Sequence, residues 1–425
     1  MNLLSSSEFT TILLGFLSFM TIGCKSVQED AIFLSMDQFE NLEGSLPVAL
    51  EIEANLDNDI ILLEEVDGIS TEIPFQIDTV ANKLWFLTQI EKNPAKAPNY
   101  YILKGDRGHR TPAVSLAKTK SDLQFSLGAT NVLSYRYGIT YPPDGVDSIY
   151  RKSGYIHPLI TPKGDTLTRI QPPDHYHHYG IWGPWTRTKI ENRSVDFWNL
   201  GEGQGTVLFK EIKDMRSGLL FSEMEAVQEH IDLLAAADKR IALAENLKIR
   251  LWKLNHPERY MVDYNSSFSS PLQSGILFEA YRYGGGLGMR FTERWHKGNT
   301  SVLTSEGKDR LTADGTKARW CLVTGTSSDG EGTNGVLFLS HPENRSHPEP
   351  MRVWPIDANN QRGDMFFEFC PIRNKEWQID ADQVYELKYR MIIFEGALSS
   401  QEAESYWQHF ASPPKISIES NIKSN

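Results

Sequence analysis

The stretch from Asp174 to Trp182 is the part of the sequence best suited to do chemistry. It places three of the eleven histidines next to aromatic side chains within nine residues; these are His175, His177, His178, Tyr176, Tyr179 and Trp182. Imidazole is the side chain that gains, loses or holds a proton, or ligates a metal, near neutral pH. Tyrosine and tryptophan add flat faces on which sugar rings stack. The stretch therefore predicts the centre of an active site.

Two kinds of chemistry fit this pattern. On a strand, alternate side chains share a face, so His175 and His177 would point one way and Tyr176 and His178 the other. We expect His175 and His177 to be the acid/base pair, with His178 and Tyr176 as further catalytic candidates. A His-x-His pair also suits a metal ion, with Asp174 as a further ligand. Histidines that merely hydrogen-bond in a polar crevice are the third possibility. Because the cluster has no cysteine ligand, we expect no metal, with a His-ligated metal as the alternative.

Aromatic and basic residues near this stretch indicate what it would bind. Trp182, Trp185 and Trp198 lie close in sequence to Arg187, Lys189 and Arg193. Rings pack on the apolar face of a sugar, and a guanidinium binds a carboxylate with two hydrogen bonds, so this composition suits an acidic sugar. For any single tryptophan, a place in the core is the alternative. The predicted substrate-binding residues are His157, Trp182, Trp185, Arg187, Arg282 and His341.

Short runs of β-branched and aromatic residues predict a mainly β protein. Residues 31–104 are expected to form a small N-terminal β-sandwich, and the polar, basic residues 105–122 a linker. Residues 123–412 are expected to form a large antiparallel β-sandwich or supersandwich that carries the site. Ser399 to Glu402 has the pattern of a capping box and predicts a helix that runs to about Phe410. A second possible helix covers residues 219–236, and residues 413–425 are expected to be a polar tail.

The first residues predict export. Residues 1–23 contain an apolar run of signal-peptide length that ends in Gly23-Cys24, which is typical of a bacterial lipoprotein signal, although no Lys or Arg precedes the run. We expect cleavage before Cys24, lipidation of its thiol and a tether over residues 24–30. A non-cleaved anchor is the alternative. The protein would then lie on the periplasmic or cell-surface side of the outer membrane, attached to the membrane through lipid.

Charge and cysteine content set further limits. The formal net charge of −12 disfavours nucleic acid as a partner. The sequence contains no Gly-x-Ser-x-Gly elbow and no Walker loop. If Cys24 is lipidated, Cys321 and Cys370 remain, either as a disulfide or as two buried thiols.

Four stretches together resemble the bacterial "methane oxygenase PmoA-like" family, which is frequent in polysaccharide-utilising Bacteroidetes. They are Ser153–Pro158, Pro173–Trp182, Asp196–Trp198 and His341–Asn344, and the resemblance covers about residues 123–396. Many members have Arg where this chain has Tyr179. No apolar segment of 18 or more residues follows the leader, so the family name does not describe a membrane oxygenase here. The resemblance implies a soluble β-sandwich of mutarotase-like outline that takes part in sugar breakdown.

Within that family, the chain looks most like the dehydratases that act on oligosaccharides released by lyases from algal polysaccharides such as ulvan. The resemblance implies loss of water from an unsaturated uronic sugar without a redox cofactor. Such a reaction needs a base, an acid and a cation for the carboxylate, for which Arg187 or Arg282 is expected. A glycoside hydrolase with Asp174 and Glu279 as its carboxylates is one alternative. A non-catalytic glycan-binding lipoprotein is the other.

Overall fold

The computed structural model describes residues 31–37, 40–52, 59–91, 98–106, 108, 110–183, 185–236 and 240–419. The predicted leader, Cys24 and the tether lie outside the described residues. Within them, no helix is both long enough and apolar enough to cross a membrane.

The N-terminal part contains the strands β1 (Ile32–Met36), β2 (Gly44–Glu51), β3 (Ile60–Val66), β4 (Ile69–Ile73), β5 (Phe75–Asp78), β6 (Lys83–Ile90) and β7 (Asn99–Lys104). The next strands are β8 (Val114–Lys118), β9 (Asp122–Leu127), β10 (Thr130–Arg136), β11 (Tyr155–Leu159), β12 (Ile181–Trp182), β13 (Thr188–Ile190), β14 (Arg193–Val195), β15 (Gly205–Arg216), β16 (Phe221–Asp232), β17 (Ile241–Lys253), β18 (Arg259–Ser269), β19 (Ile276–Phe278), β20 (Gly288–Arg290) and β21 (Thr300–Thr304). The last elements are β22 (Lys317–Ala318), β23 (Trp320–Thr326), β24 (Thr333–Ser340), β25 (Glu349–Val353), β26 (Phe366–Phe369), β27 (Trp377–Ile379), β28 (Tyr385–Glu395), the helix α1 (Ser400–Ala411) and β29 (Lys415–Ile418). Two short 3₁₀ turns cover Ser148–Tyr150 and Leu200–Glu202.

The N-terminal strands form one curled sheet in the order β4-β3-β7-β1-β29-β2-β6-β5. Phe86 of β6 contacts Tyr100 of β7, four places away in this order, with ring centroids 4.8 Å apart. The two halves of the sheet therefore face each other around their own core. Trp85 points the other way, because side chains alternate along a strand, and meets Trp252 of the large region at 5.1 Å.

Two boundary predictions are wrong. The expected polar tail over residues 413–425 contains β29, which lies between β1 and β2, because Ile416 is apolar and buries its side chain there. The expected linker over residues 105–122 contains β8, which pairs with β9 at the edge of the nine-stranded sheet. Basic and polar residues at these positions lie on edge or solvent-facing sides of strands, where charge is tolerated.

The large antiparallel β-sandwich is confirmed. Its central sheet has the order β15-β16-β17-β18-β28-β24-β23-β21, and its strand β24 and the second half of β28 are buried on both faces. On β28, Met391 and Ile393 face the nine-stranded sheet, whereas Ile392 and Phe394 face the N-terminal sheet. A strand that is covered on both faces has consecutive apolar residues, and residues 391–394 are all apolar.

The nine-stranded sheet, β22-β25-β26-β20-β12-β11-β10-β9-β8, forms the outer layer. Its inner face carries Ile156, Ile181 and Phe367 in the main core. Its outer face carries a second group of aromatic residues, which comprises Tyr155, Tyr179, Trp182, Trp198, Trp354 and Phe366. A small sheet, β14-β13-β19-β27, lies in the same region of the chain.

The helix at the C-terminus is confirmed with both halves of its capping box. Ser399 Oγ accepts from Glu402 N at 3.1 Å, and Glu402 Oε2 accepts from Ser399 N at 2.9 Å. The possible helix over residues 219–236 is wrong, because alternating burial along β16 follows the two-residue period of a strand. Cys321 and Cys370 are both free and buried.

We expect that β29 is needed for stability. A variant that ends at Ser412 loses the backbone pairs of β29 with β1 and β2, together with the buried side chain of Ile416. Its free energy of unfolding should fall by about 2–4 kcal/mol, measured by denaturant unfolding. A variant that ends at Glu419 keeps the strand and is the control. Equal stability of the two variants would contradict the assignment.

Candidate active site

The histidines lie in a compact lobe of consecutive turns, not on a strand. His175 N donates to Pro172 O at 2.8 Å, and His178 N donates to His175 O at 3.0 Å. The chain leaves the lobe through Gly180, whose φ is +57° and where a Cβ would meet Ile156 O at 2.1 Å. Only glycine fits such a position.

The turns bring three imidazoles together where a strand would have brought two. Side-chain nitrogens of His175, His177 and His178 all lie within 4.8 Å of one another. His178 stacks on His175 with centroids 4.6 Å apart, and so shares its side. The expectation that His178 points away from the other two is therefore wrong, because the turns break the two-residue alternation. Tyr176 does point away and packs against Tyr150 at 5.6 Å.

Asp174 orients His175 from behind. Its Oδ2 lies 2.8 Å from His175 Nδ1 and accepts from Arg290 Nη2 at 2.8 Å. Burial opposes ionisation of Asp174, but the hydrogen bond to His175 and the charge of Arg290 outweigh it and hold the pKa of Asp174 below its usual range. An ionised carboxylate only accepts, so Nδ1 of His175 carries the proton and Nε2 is left as a proton acceptor.

Arg290 is fully buried and fixes several elements at once. Its Nη2 also donates to Asp364 Oδ2 at 2.7 Å, and its guanidinium lies 4.5 Å from the ring centre of Trp354. Asn359 Nδ2 donates to the same oxygen of Asp364 at 3.0 Å. This network joins β20, the histidine lobe and the loop that precedes β26.

The imidazoles open into a cleft of about 200 Å³ on the outer face of the nine-stranded sheet. Its lining residues are His175, His177, His178, Thr186, Trp198, Asn199, Tyr281, Arg282, Tyr283 and Trp354. Aromatic side chains form most of its wall. Among the described residues that line it, none is a carboxylate.

Burial keeps two of the imidazoles neutral. Desolvation, helped by the nearby His175, lowers the pKa of His177 to about 4. Desolvation also lowers the pKa of His178 well below its ordinary value, with further contributions from His177 and Arg290. At neutral pH both rings are therefore uncharged and serve as hydrogen-bonding groups.

Arg282 and Arg187 occupy different places. Arg282 is exposed at the cleft, with its guanidinium 5.3 Å from the ring centre of Tyr283. Arg187 lies over Tyr281, 4.1 Å from its ring centre, in a neighbouring depression. Of the two arginines predicted to bind the substrate carboxylate, only Arg282 lines the cleft.

Several predicted binding residues lie elsewhere. Trp185 belongs to the main core and stacks on Phe278 at 4.1 Å, and Trp182 lies below the cleft, 5.5 Å from His178. His157 bonds Thr168 Oγ1 through Nδ1 at 2.9 Å, and burial lowers its pKa to about 4. His341 packs against Phe410 of α1 at 5.0 Å. Neither closeness to the histidines in the sequence nor a position in a loop placed these side chains in the cleft. Neighbouring side chains on a strand point to opposite faces of the sheet.

The sequence pointed to Tyr283 only as an alternative to Arg282 at the cleft, and it did not point to Trp354. Tyr283 Oη accepts from Arg352 Nη2 at 3.0 Å and from Trp354 Nε1 at 3.2 Å. Trp354 in turn contacts His175 at 5.0 Å, so it connects the hydroxyl of Tyr283 to the imidazoles. Tyr283 stood in the stretch that contains Arg282, but nothing near Trp354 in the sequence marked it.

The carboxylates expected for a hydrolase are both occupied. Asp174 is held by Arg290 and His175, and Glu279 forms an ion pair of 2.6 Å with Lys189 in the neighbouring depression. Tyr179 is buried, and its hydroxyl accepts from Gln171 Nε2 at 2.7 Å and donates to Tyr150 O, so its role is to hold the lobe.

The three imidazoles have the right number of donors for a metal ion, and their nitrogens lie within 4.8 Å of one another. Nitrogens in a tetrahedral zinc site lie about 3.3 Å apart. Nδ1 of His175 is already bonded to Asp174 at 2.8 Å, which leaves Nε2 of that ring for an ion. The three rings would therefore have to move closer together to hold an ion.

We therefore expect the tag-free protein to bind Zn²⁺, Mn²⁺ or Cu²⁺ at this cluster only weakly. Elemental analysis after purification should find less than one ion per chain, and a chelator should leave the melting temperature unchanged. A stoichiometric ion that is lost in the variant His178→Ala would contradict this expectation and make the imidazoles ligands.

The buried imidazoles should also make stability depend on pH. The folded-state pKa of His177 is about 4 against 6.5 for the free group, so the unfolded chain takes up the proton first and stability falls as pH drops from about 6.5 towards 4. Between pH 7 and pH 4.5, the unfolding free energy of the wild type should fall by about 1–2 kcal/mol more than that of His177→Asn. Denaturant unfolding at the two pH values measures this. Parallel pH dependences of the two proteins would contradict it.

Solved structures that the chain resembles are distant. The heparan sulfate lyase HepC from Pedobacter heparinus has 10% identity and a TM-score of 0.34, over 70% of this chain and 38% of the lyase. A galactose mutarotase related enzyme from Lactobacillus acidophilus has 9% identity and a TM-score of 0.28, over 67% and 100%. The α-galactosidase from Lactobacillus brevis has 6% identity and a TM-score of 0.31, over 72% and 42%. The chain spans less than half of the lyase and of the galactosidase.

No curated protein matches the sequence. A family model does match it, over residues 122–408, which include the histidine lobe, every residue that lines the cleft and most of α1. The chain therefore belongs to a family of unknown function, DUF6807.

Proposed function

We propose that this protein is a carbohydrate-active dehydratase that removes water from an unsaturated uronic sugar at the end of an oligosaccharide. The observation that carries the proposal is the Asp174–His175 pair, which opens into the same cleft as Tyr283 and Arg282. A base, an acid and a cation are the groups that such an elimination requires.

His175 is the base in this proposal. Its Nδ1–H is held by Asp174, so Nε2 is available to take a proton from a carbon that the conjugated carboxylate makes acidic. The ionised Asp174 stabilises the imidazolium that forms, as a carboxylate does for the histidine of a catalytic triad.

Tyr283 is the better candidate for the acid. His177 was the expected partner of His175, but a neutral imidazole with a pKa of about 4 has no readily released proton at neutral pH. Tyr283 Oη already accepts from Arg352 and Trp354, so its own proton is free to be donated, and both donors stabilise the phenolate that remains. The proton passes to the departing hydroxyl, the C–O bond breaks, and the electrons of the C–H bond form the new double bond.

Arg282 and the aromatic wall would hold the sugar. The guanidinium of Arg282 forms no ion pair with another described residue, so it is available to a substrate carboxylate. Trp198 and Trp354 line the cleft and offer ring faces to the apolar side of the sugar.

The two rival functions fit less well. A glycoside hydrolase needs two carboxylates at the scissile bond, and none lines the described cleft. A glycan-binding protein has no need for a carboxylate that orients one imidazole towards the ligand. Export as a lipoprotein anchored at Cys24 is part of the proposal and is supported by the Gly23-Cys24 sequence alone.

Incubation with an oligosaccharide that carries a terminal unsaturated uronic sugar tests the proposal. Mass spectrometry should find a product lighter by one water molecule. Shorter sugars without water loss would favour the hydrolase, and an unchanged substrate would favour the binding protein.

Variants test the assigned roles. His175→Ala and Tyr283→Phe should each lower kcat at least about 100-fold, because each removes a proton-transfer group. His177→Ala should lower it less, and an equal loss would restore His177 as the acid. His341→Ala, far from the cleft, is the control and should keep full activity.

A further inference from the structure

A second depression of about 350 Å³ lies beside the cleft. We call it the Arg187 depression; its lining residues are Thr186, Arg187, Ser194, Val195, Asp196, Asn199, Glu202, Gln204, Glu279 and Tyr281. Thr186, Asn199 and Tyr281 also line the cleft. A ligand that fills the cleft can therefore extend into the depression across these three shared residues.

The floor of the depression is rigid. Asp196 Oδ1 accepts from Trp198 N and Asn199 N at 2.8 Å each, and its Oδ2 accepts from Thr186 Oγ1 at 2.6 Å and Asn199 Nδ2 at 2.7 Å. The Asp196 carboxylate thus fixes the wall that the two cavities share, and it also positions Trp198 in the cleft.

Two exposed side chains remain available to a ligand. The guanidinium of Arg187 is held over the ring of Tyr281, and neither it nor the carboxylate of Glu202 forms an ion pair with another described residue. Arg187 has a φ of +49°, a conformation that bulky residues rarely adopt. The Arg187 side chain thus projects over Tyr281 from a backbone position that few residue types adopt.

The charge around the depression disfavours an anion. Lys189 is paired with Glu279 at 2.6 Å, which leaves the single cation Arg187 against the carboxylates of Asp196 and Glu202. Carboxylate and guanidinium groups placed near each other instead suit the hydroxyls of an uncharged sugar, which donate to one and accept from the other.

We propose that the Arg187 depression is a subsite for the sugar next to the reacting one, and that this neighbouring sugar is uncharged. Arg187 and Glu202 bind its hydroxyl groups, and Tyr281 and Asn199 lie below the linkage between the two sugars. This inference rests on the proposed function, since it takes the cleft as the place of reaction.

Kinetics on matched substrates test the subsite. The substrates are a free unsaturated uronic sugar, the same sugar linked to a neutral sugar, and the same sugar linked to a second uronic sugar. Wild-type kcat/KM for water loss should be at least about tenfold higher for the neutral-linked disaccharide than for the other two, because only that substrate gains hydrogen bonds in the depression.

Variants separate the subsite from the catalytic cleft. Arg187→Asn keeps a residue that tolerates positive φ, and Glu202→Ala removes the carboxylate. Each should raise KM about tenfold for the neutral-linked disaccharide and leave kcat/KM for the free sugar within about twofold of wild type. Lys308→Ala, at an exposed turn elsewhere, is the control and should change neither.

The outcomes distinguish the two proposals. The subsite would be overturned, and the dehydratase left intact, if kcat/KM were equal for all three substrates. The same holds if the two variants lost as much kcat/KM on the free sugar as on the neutral-linked disaccharide. A preference for the doubly acidic disaccharide would overturn the uncharged neighbour. Absence of water loss from every substrate would overturn both the proposed function and the subsite.

Discussion

The buried guanidinium of Arg290 is the interaction on which the site depends. A charge that is fully removed from water must be paired, and Arg290 is paired with both Asp174 and Asp364 while its flat face lies on Trp354. These contacts keep Asp174 ionised, and Asp174 in turn fixes the tautomer of His175. A single buried ion network thus sets the position of the lobe, the protonation of its orienting carboxylate and the wall formed by Trp354.

The layers of the fold explain why the cleft lies where it does. The middle of the central sheet is covered on both faces, by the N-terminal sheet and by the nine-stranded sheet, so the aromatic cleft does not lie there. The outer face of the nine-stranded sheet has no further sheet over it, and its alternate side chains, including Trp182 and Phe366, form the aromatic floor below the imidazoles. Rigid strands on one side and the tight histidine lobe on the other hold the cleft open.

Local patterns in the sequence predicted local structure well. The capping box placed α1, and the short β-branched and aromatic runs predicted a mainly β chain. The strand predicted for the histidine stretch is wrong, and Pro172, Pro173 and Gly180 around it are turn signals against one. Tyr283, Arg290 and Trp354 meet the lobe only through sheet pairing between distant strands. No local pattern contains that information, and the same holds for the placement of β29 between β1 and β2.

The cleft is proposed to remove water from a sugar whose carboxylate it binds. The most direct test gives the wild-type protein an oligosaccharide with one terminal unsaturated uronic sugar and its carboxyl-reduced analogue and follows the masses of both over time. We predict loss of one water molecule from the acid and little or none from the reduced compound. Equal loss of water from both would contradict the role of the carboxylate and of Arg282, and no loss from the acid would contradict the account as a whole.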